Sequence, residues 1–251
     1  MANAGSKGML EHIDDPSVSA IAAAPAANVT WVADSTNGAT DFQKGVAAGK
    51  GLHYLSASDT TDNDMQEFCS NNLIFAGQEG HCYAEALIQL DSVDDVAFNF
   101  GFNDTVEEVT SGGGTLPVEL SGTTWASTAS TFVGFVYDID ATNDELHCFW
   151  VDDDVDTTTA IADLRMKGMA PTASKWLYLR IDLQDRGSGN GLHATFLAVD
   201  HNGKSVCKEF NTSVDRDCPL CYHFSFENRA NTAATNCYLR GCNWGQTIPD
   251  M

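Results

Sequence analysis

The sequence predicts an all-β protein: a two-sheet antiparallel β-sandwich behind an irregular N-terminal arm. Three observations carry this. Apolar residues alternate with period two over runs of strand length. Clusters of Gly, Asn, Asp and Ser separate the runs. No helical period of apolar residues lies between them.

The stretch Thr131–Asp154 is the expected centre. In its first run Phe132, Gly134 and Val136 point one way, and Val133, Phe135 and Tyr137 the other. In its second, Leu146, Cys148 and Trp150 alternate with His147, Phe149 and Val151. Both faces of both runs are largely apolar, so both sides are expected to be covered. The connecting Asp138–Asp144 is rich in Asp and Asn, which bond their own backbone in turns.

The other elements follow in order. Met1–Asn28 has no sustained period and reads as an arm with a short helical turn near Ser17–Ala24. Val29–Ala33 is a short strand. Asp34–Asp64 is polar, with Leu52–Leu55 its one expected strand, and Leu73–Ala76 is a further short apolar run. His81–Leu90 and Val96–Phe102 are strands joined by the turn Asp91–Asp95. Asn103–Ser130 reads as loop and Asp156–Lys175 as a connector. Lys175–Gln184 is a strand. Leu192–Val199 and Ser205–Phe210 flank Asn202-Gly203, a strong hairpin signal. Leu220–Glu227 and Thr235–Gln246 close the set. The expected division is residues 1–64 as arm and 65–251 as sandwich, with Phe98, Phe100, Val136, Phe149, Leu179, Ile181 and Phe226 in the core.

Composition narrows the function classes. The 35 acidic against 13 basic residues give a formal net charge of -22. That excludes nucleic-acid backbones, which need Lys and Arg to displace counterions, and disfavours anionic membrane surfaces. No apolar run reaches the length of a membrane span. Ala20–Ala27 is preceded by Glu11, Asp14 and Asp15, which is unlike a secretory signal. The eight cysteines belong to a chain with a core of its own, so reduced thiols and a cytosolic origin are expected.

Candidate chemistry is sparse. Retaining glycosidases need two carboxylates about 5–5.5 Å apart, which on a strand means acids at alternate positions. No such run occurs, and Glu107-Glu108 lies in a loop. Asp138, Asp140 and Asn143 are the oxygen donors best placed for calcium, with Asp152, Asp153, Asp154 and Asp156 next. Neither loop has the Gly and closing Glu of an EF-hand, and turns capped by Asp and Asn explain both. Cys218 and Cys221, with Cys237 and Cys242, match a four-cysteine zinc site inexactly, because positions 237 and 242 face opposite ways unless Gly241 makes a bulge. A disulfide among these four is the other reading. His81, His147, His193 and His223 lie on or beside strands and are expected to be packed. Neither a metal nor a cofactor is expected.

Four segments carry a resemblance: YAEALIQLDSVDDVAFNFGFND, FVGFVYDIDATNDELHCFWVDDD, WLYLRIDLQ with ATFLAVDHNGK, and HFSFENRANTAATNCYLRGCNW. Their order and spacing resemble the concanavalin A-like (laminin-G-like) jelly-roll proteins of tailed bacteriophages, over roughly residues 70–246. The resemblance implies a sandwich of about twelve strands and a virion structural role. That role is a decoration protein on the capsid surface, made in the bacterial cytoplasm, with the major capsid protein and copies of itself, in a trimer, as expected partners. A carbohydrate-binding module or receptor-binding fibre is the alternative, and a glycoside hydrolase the third reading. The arm, poor in regular structure, is expected to present Met9, Leu10, Ile13, Val18, Ile21 and Trp31 to the partner.

Overall fold

Period-two alternation becomes strand almost wherever it occurs. A computed structural model describes residues 9–36, 40–58, 60–73, 75–111, 114–229 and 234–247. The N-terminal quarter forms β1 (Met9–His12), β2 (Ile21–Ala22), β3 (Trp31–Ser35), β4 (Thr40–Ala47), β5 (Gly51–Ala57) and β6 (Met65–Ser70). Next come β7 (Cys82–Leu90), β8 (Val96–Asn103), the helical turn α1 (Glu108–Ser111), β9 (Val118–Ser121) and β10 (Thr124–Ser127). Then follow β11 (Phe132–Asp138), β12 (His147–Asp152), β13 (Val155–Asp156) and the helical turn α2 (Ile161–Leu164). The last strands are β14 (Leu177–Asp185), β15 (Leu192–Val199), β16 (Ser205–Asn211), β17 (Cys221–Asn228) and β18 (Asn236–Thr247).

Two eight-stranded sheets result. The first has the order β16-β15-β14-β7-β18-β5-β4, with β1 paired to the far half of β18. The second runs β13-β12-β11-β8-β17-β6-β3-β2. Every pairing in both is antiparallel except β2 with β3. In β14 and β15 burial alternates with the pleat, so only the inner face of that side is dry. β6, β8, β11 and β17 are buried along their whole length, on both faces. Their inner faces supply Phe68, Phe98, Phe100, Phe102, Phe135, Tyr222, Phe224 and Phe226 to the core between the sheets. The seven residues expected in the core are all buried.

The Thr131–Asp154 hairpin forms as β11 against β12, with Gly134 opposite Phe149. It lies to one side of its sheet; β8 and β17 occupy the middle. Asn103–Ser130, expected as loop, carries α1 and the β9–β10 hairpin.

The N-terminal segment departs most from expectation. It is not an irregular arm joined to a separate sandwich at residue 64. β1, β4 and β5 belong to the first sheet and β2 and β3 to the second, which is why there are more than twelve strands. Residues 16–18 make a turn, and β2 follows where a helical turn was expected. Trp31 is fully buried, stacked on Phe68 with ring centroids 4.6 Å apart, and so belongs to the chain's own core. Ile21 is half-buried against that core, whereas Leu10, Ile13 and Val18 are exposed. The Met9 side chain and residues 1–8 lie outside the described residues. Among the described residues, no helix is long and apolar enough to cross a membrane.

Phe100 sits mid-core, its ring 5.5 Å from Tyr222 and 6.2 Å from Phe135. Phe100→Ala is expected to cost about 3–5 kcal/mol of unfolding free energy, read by urea denaturation. A loss below about 1 kcal/mol would contradict the packing described.

Candidate functional site

The outer face of the second sheet is where chemistry collects. Since Phe68, Phe224 and Phe98 point inward, their neighbours along each strand point outward. β6 presents Glu67 and Cys69 there, and β17 presents Cys221, His223, Ser225 and Glu227. β8 adds Asn99 and Asn103, and β11 adds Asp138. His223 lies opposite Cys69 on one side and Gly101 on the other. Gly101 faces Gly134 so closely that a Cβ on it would lie 2.3 Å from the Val133 carbonyl oxygen. Only glycine fits at that crossing.

Residues 104–111 and 114–130 close over this face and supply partners to it. Glu67 accepts hydrogen bonds from the backbone N–H of Glu108 at 2.7 Å and of Val109 at 3.4 Å. Asn103 donates to the Glu108 carboxylate at 2.6 Å. The Cys221 thiol donates to the Thr105 carbonyl at 3.3 Å. Asn99 accepts from the Val118 N–H at 2.8 Å and donates to its carbonyl at 3.0 Å, as a strand would. Met65, Ala97 and Leu116, with Val109 against them, form a small apolar patch beneath the segment.

Two polar groups lie under this cover. In the first, the Cys69 sulfur is 3.2 Å from His223 Nδ1 and 3.8 Å from a Glu67 oxygen. His223 Nε2 is 2.9 Å from the Ser225 hydroxyl. Burial pushes the Glu67 carboxyl up to about 8 and holds the His223 imidazole down at about 3. Burial also raises the Cys69 thiol, so the pair is a neutral thiol and a neutral imidazole, unlike the thiolate–imidazolium pair of a nucleophile.

In the second group Arg229 reaches three elements. Its Nη1 donates to Glu227 at 2.8 Å, its Nε is 3.2 Å from Asp138, and its Nη2 donates to the Leu120 carbonyl at 3.3 Å. One guanidinium thus serves two buried carboxyls. Burial raises Glu227 to about 8 and Asp138 to about 6 despite that cation.

The residues singled out from sequence take other places. Asp138 meets Arg229 on the covered outer face and accepts the Asp140 N–H at 2.8 Å, the Asp-capped turn that competed with calcium. Asn143 is exposed. Asp152 accepts the Asp215 N–H, and Asp154 accepts from the Ser130 hydroxyl. All eight cysteines are free. Cys237 and Cys242 both reach the core, because β18 shifts register between Arg240 and Asn243 around Gly241 at φ 56°. Cys221 faces the other side of the opposite sheet, so the four cysteines do not converge. Among the described residues, the one group of three or more His, Cys, Asp or Glu with ligand atoms mutually within 4.8 Å is Glu67, Cys69 and His223. Its sequence signal is the period-two pair Glu67-x-Cys69, missed because β6 was not read as a strand; Cys221 stands two residues before His223 on the partner strand.

Comparison with known proteins bears on the fold alone. No protein-family model and no curated protein sequence matches the chain. Among solved structures it is similar to a protein of unknown function from Shewanella oneidensis, with TM-score 0.60, 11% identity, and 99% of this chain and 90% of that chain covered. It is similar to an alginate lyase from Aplysia kurodai, with TM-score 0.53, 8% identity and coverage of 83% and 87%. Peanut lectin, solved with a peptide, gives TM-score 0.50, 11% identity and coverage of 88% and 99%. The chain therefore has a concanavalin A-like jelly-roll sandwich.

The Arg229 group sets a pH dependence. Glu227 binds its proton more tightly folded than unfolded, so the stability this contributes is full below about 4.5 and is lost as pH rises through about 8. Asp138 acts in the same direction through about 6. Unfolding free energy measured in urea is expected to fall between pH 6 and pH 8, and less steeply in Glu227→Gln. A rise over that interval, or an unchanged slope in the variant, would refute this.

Proposed function

We propose that the chain is a non-catalytic structural protein of a tailed-phage virion, a decoration protein on the capsid surface that binds the major capsid protein and copies of itself. The observation that carries the non-catalytic part is the closed outer face of the second sheet. Its carboxyls are engaged by the chain's own backbone and by Arg229 beneath residues 104–130. A polysaccharide would have to displace that segment to reach them. The virion role rests on the resemblance of the four sequence segments, and on it alone.

For attachment, the arm as a whole is no longer the candidate, since β1–β5 are built into the sandwich. What remains is a lateral strip. β4 ends the first sheet and β2 ends the second, and both sheets expose backbone there. The residues after the turn at 15–18, Ala20–Ala23, lie beside Phe42, Gln43 and Lys44 of β4. Val18 and Val46 are 77% and 79% exposed and Ile13 is 56% exposed, three large apolar side chains in water in an acidic protein. A shallow cleft of about 450 Å³ lined by Ala20–Ala23, Ala33 and Phe42–Lys44 lies along the same edges. Repetition of such a contact over a symmetric shell multiplies a modest affinity.

The carbohydrate-binding reading has one specific observation in its favour. Trp176 and Tyr178 stand half-exposed on the outer face of the first sheet, beside Arg240 and Glu85 respectively. Aromatic faces with polar neighbours suit sugar rings.

Purified virions are expected to contain the chain at a stoichiometry near that of the capsid protein. Val18→Asp with Val46→Asp, both at exposed sites, is expected to lower co-sedimentation with undecorated capsids about tenfold, through the cost of burying charge. No turnover of β-glucans or other polysaccharides is expected. Glycan binding abolished by Trp176→Ala, with virions lacking the chain, would replace this reading by the second; turnover abolished by one carboxyl substitution would replace both.

A further inference from the structure

We propose that Glu67, Cys69, Cys221 and His223 form a buried zinc site that fastens residues 104–111 to the second sheet. The argument begins with geometry. In a tetrahedral site, Zn–S of about 2.3 Å and Zn–N of about 2.0–2.1 Å leave neighbouring ligand atoms about 3.5 Å apart. The sulfur of Cys69 stands 3.2 Å from His223 Nδ1 and 3.8 Å from Glu67, on either side of that spacing. Three ligand types that zinc accepts thus already lie at its separations. They come from directly paired strands, in which Cys69 faces His223 and Glu67 faces Ser225.

The fourth ligand is at hand. Cys221 lies two residues before His223 on the same face of β17, which pairs with the strand that carries Cys69. Its sulfur now meets the Thr105 carbonyl at 3.3 Å and turns from it to complete the site. The supporting shell fits too. Ser225 lies 2.9 Å from His223 Nε2 and accepts a hydrogen bond from its N–H in the tautomer whose Nδ1 lone pair faces Cys69. The two backbone N–H groups of Glu108 and Val109 orient the Glu67 carboxylate.

Zinc binding releases the thiol protons of Cys69 and Cys221 and the carboxyl proton of Glu67 to solvent, and the dication offsets two of the three negative charges so formed. Soft sulfur ligands with one imidazole select zinc over magnesium or calcium. With no ligand exposed, the ion enters as the chain folds. Its role is structural: Glu67 accepts from the Glu108 and Val109 N–H groups of the covering segment, so an ion held by β6 and β17 fixes the carboxylate to which that segment is bound.

The test uses the full chain, unfolded, stripped with a chelator and refolded with one equivalent of Co²⁺ or Zn²⁺. One ion per chain is expected, with a thiolate-to-cobalt charge-transfer band and the visible spectrum of tetrahedral Co²⁺. Cys69→Ser is expected to lose the band. Ser225→Ala is expected to bind about 10–100-fold more weakly. Cys207→Ser, at an exposed thiol, is expected to behave as wild type. Refolded wild-type chain without bound ion, or with Co²⁺ in an octahedral, thiolate-free spectrum from surface carboxylates, overturns the site. Should Cys69→Ser not fold, the wild-type spectrum decides alone.

Discussion

The second sheet is buried on both faces, and the rest of the molecule is arranged around that constraint. A sheet with one dry face needs one partner layer, and the first sheet supplies it. The other face of β6, β8, β11 and β17 carries Glu67, His223, Glu227, Asn99 and Asp138, none of which can be left without a hydrogen-bond partner out of water. Backbone groups of Glu108, Val109 and Val118 meet Glu67 and Asn99, Cys69 and Ser225 meet His223, and Arg229 provides the cation for Glu227 and Asp138. The covering segment is fastened near both ends, by Glu67 and Cys221 at residues 105–109 and by Asn99 and Arg229 at residues 118–120. It therefore acts as a third layer.

A second polar centre fixes the N-terminal strands. The Asp14 carboxylate accepts from Trp31 Nε1 at 3.1 Å, from the Tyr54 hydroxyl at 2.7 Å and from the Ser19 hydroxyl at 2.8 Å. Those donors sit on β3, on β5 and in the turn before β2, so one carboxylate joins elements of both sheets. His12 stacks on Trp244 of β18 at 5.3 Å and meets Trp31 edge-on. This explains why a segment that looks unstructured in sequence is ordered. β1 and β2 are short, and long-range pairing holds the segment's strands where local propensity does not.

Legibility in the sequence follows the same physics. The long alternating runs were readable, and β7, β8, β11, β12, β14, β15, β17 and β18 fall close to where the pattern put them. The apolar outer faces of the Thr131–Asp154 hairpin correctly announced a cover on that side, but not its identity, because residues 103–130 have the composition of a loop. β4, TDFQKGVA, and β6, MQEFCS, were not readable, since polar residues break the apolar alternation in each. On β4, Gln43 and Lys44 face water. On β6, Glu67 meets backbone N–H groups, a pairing that no local pattern encodes. The candidate site was lost with β6. Cys221 and His223 stood on a strand that was read correctly, and only the partner strand makes them a cluster. The acids that drew attention instead, Asp138 and Asp140, were marked by their turn, and the turn is what they build.

The net charge of -22 and the buried acids are separate matters. Exposed acids repel one another and keep the chain soluble. Glu67, Glu227 and Asp138 contribute to the formal count, yet burial raises all three, so the folded protein is less negative near neutrality than its sequence states. Their retention beneath a cover has a cost that apolar residues of the same size would not carry. What they supply is register. Glu67 fits only if Glu108 and Val109 present their N–H groups, and Asn99 only if Val118 lies alongside. Apolar residues at these positions would hold the segment with less discrimination among slipped arrangements. The polar face thus specifies one seating of residues 104–130, and this seating keeps the face from water.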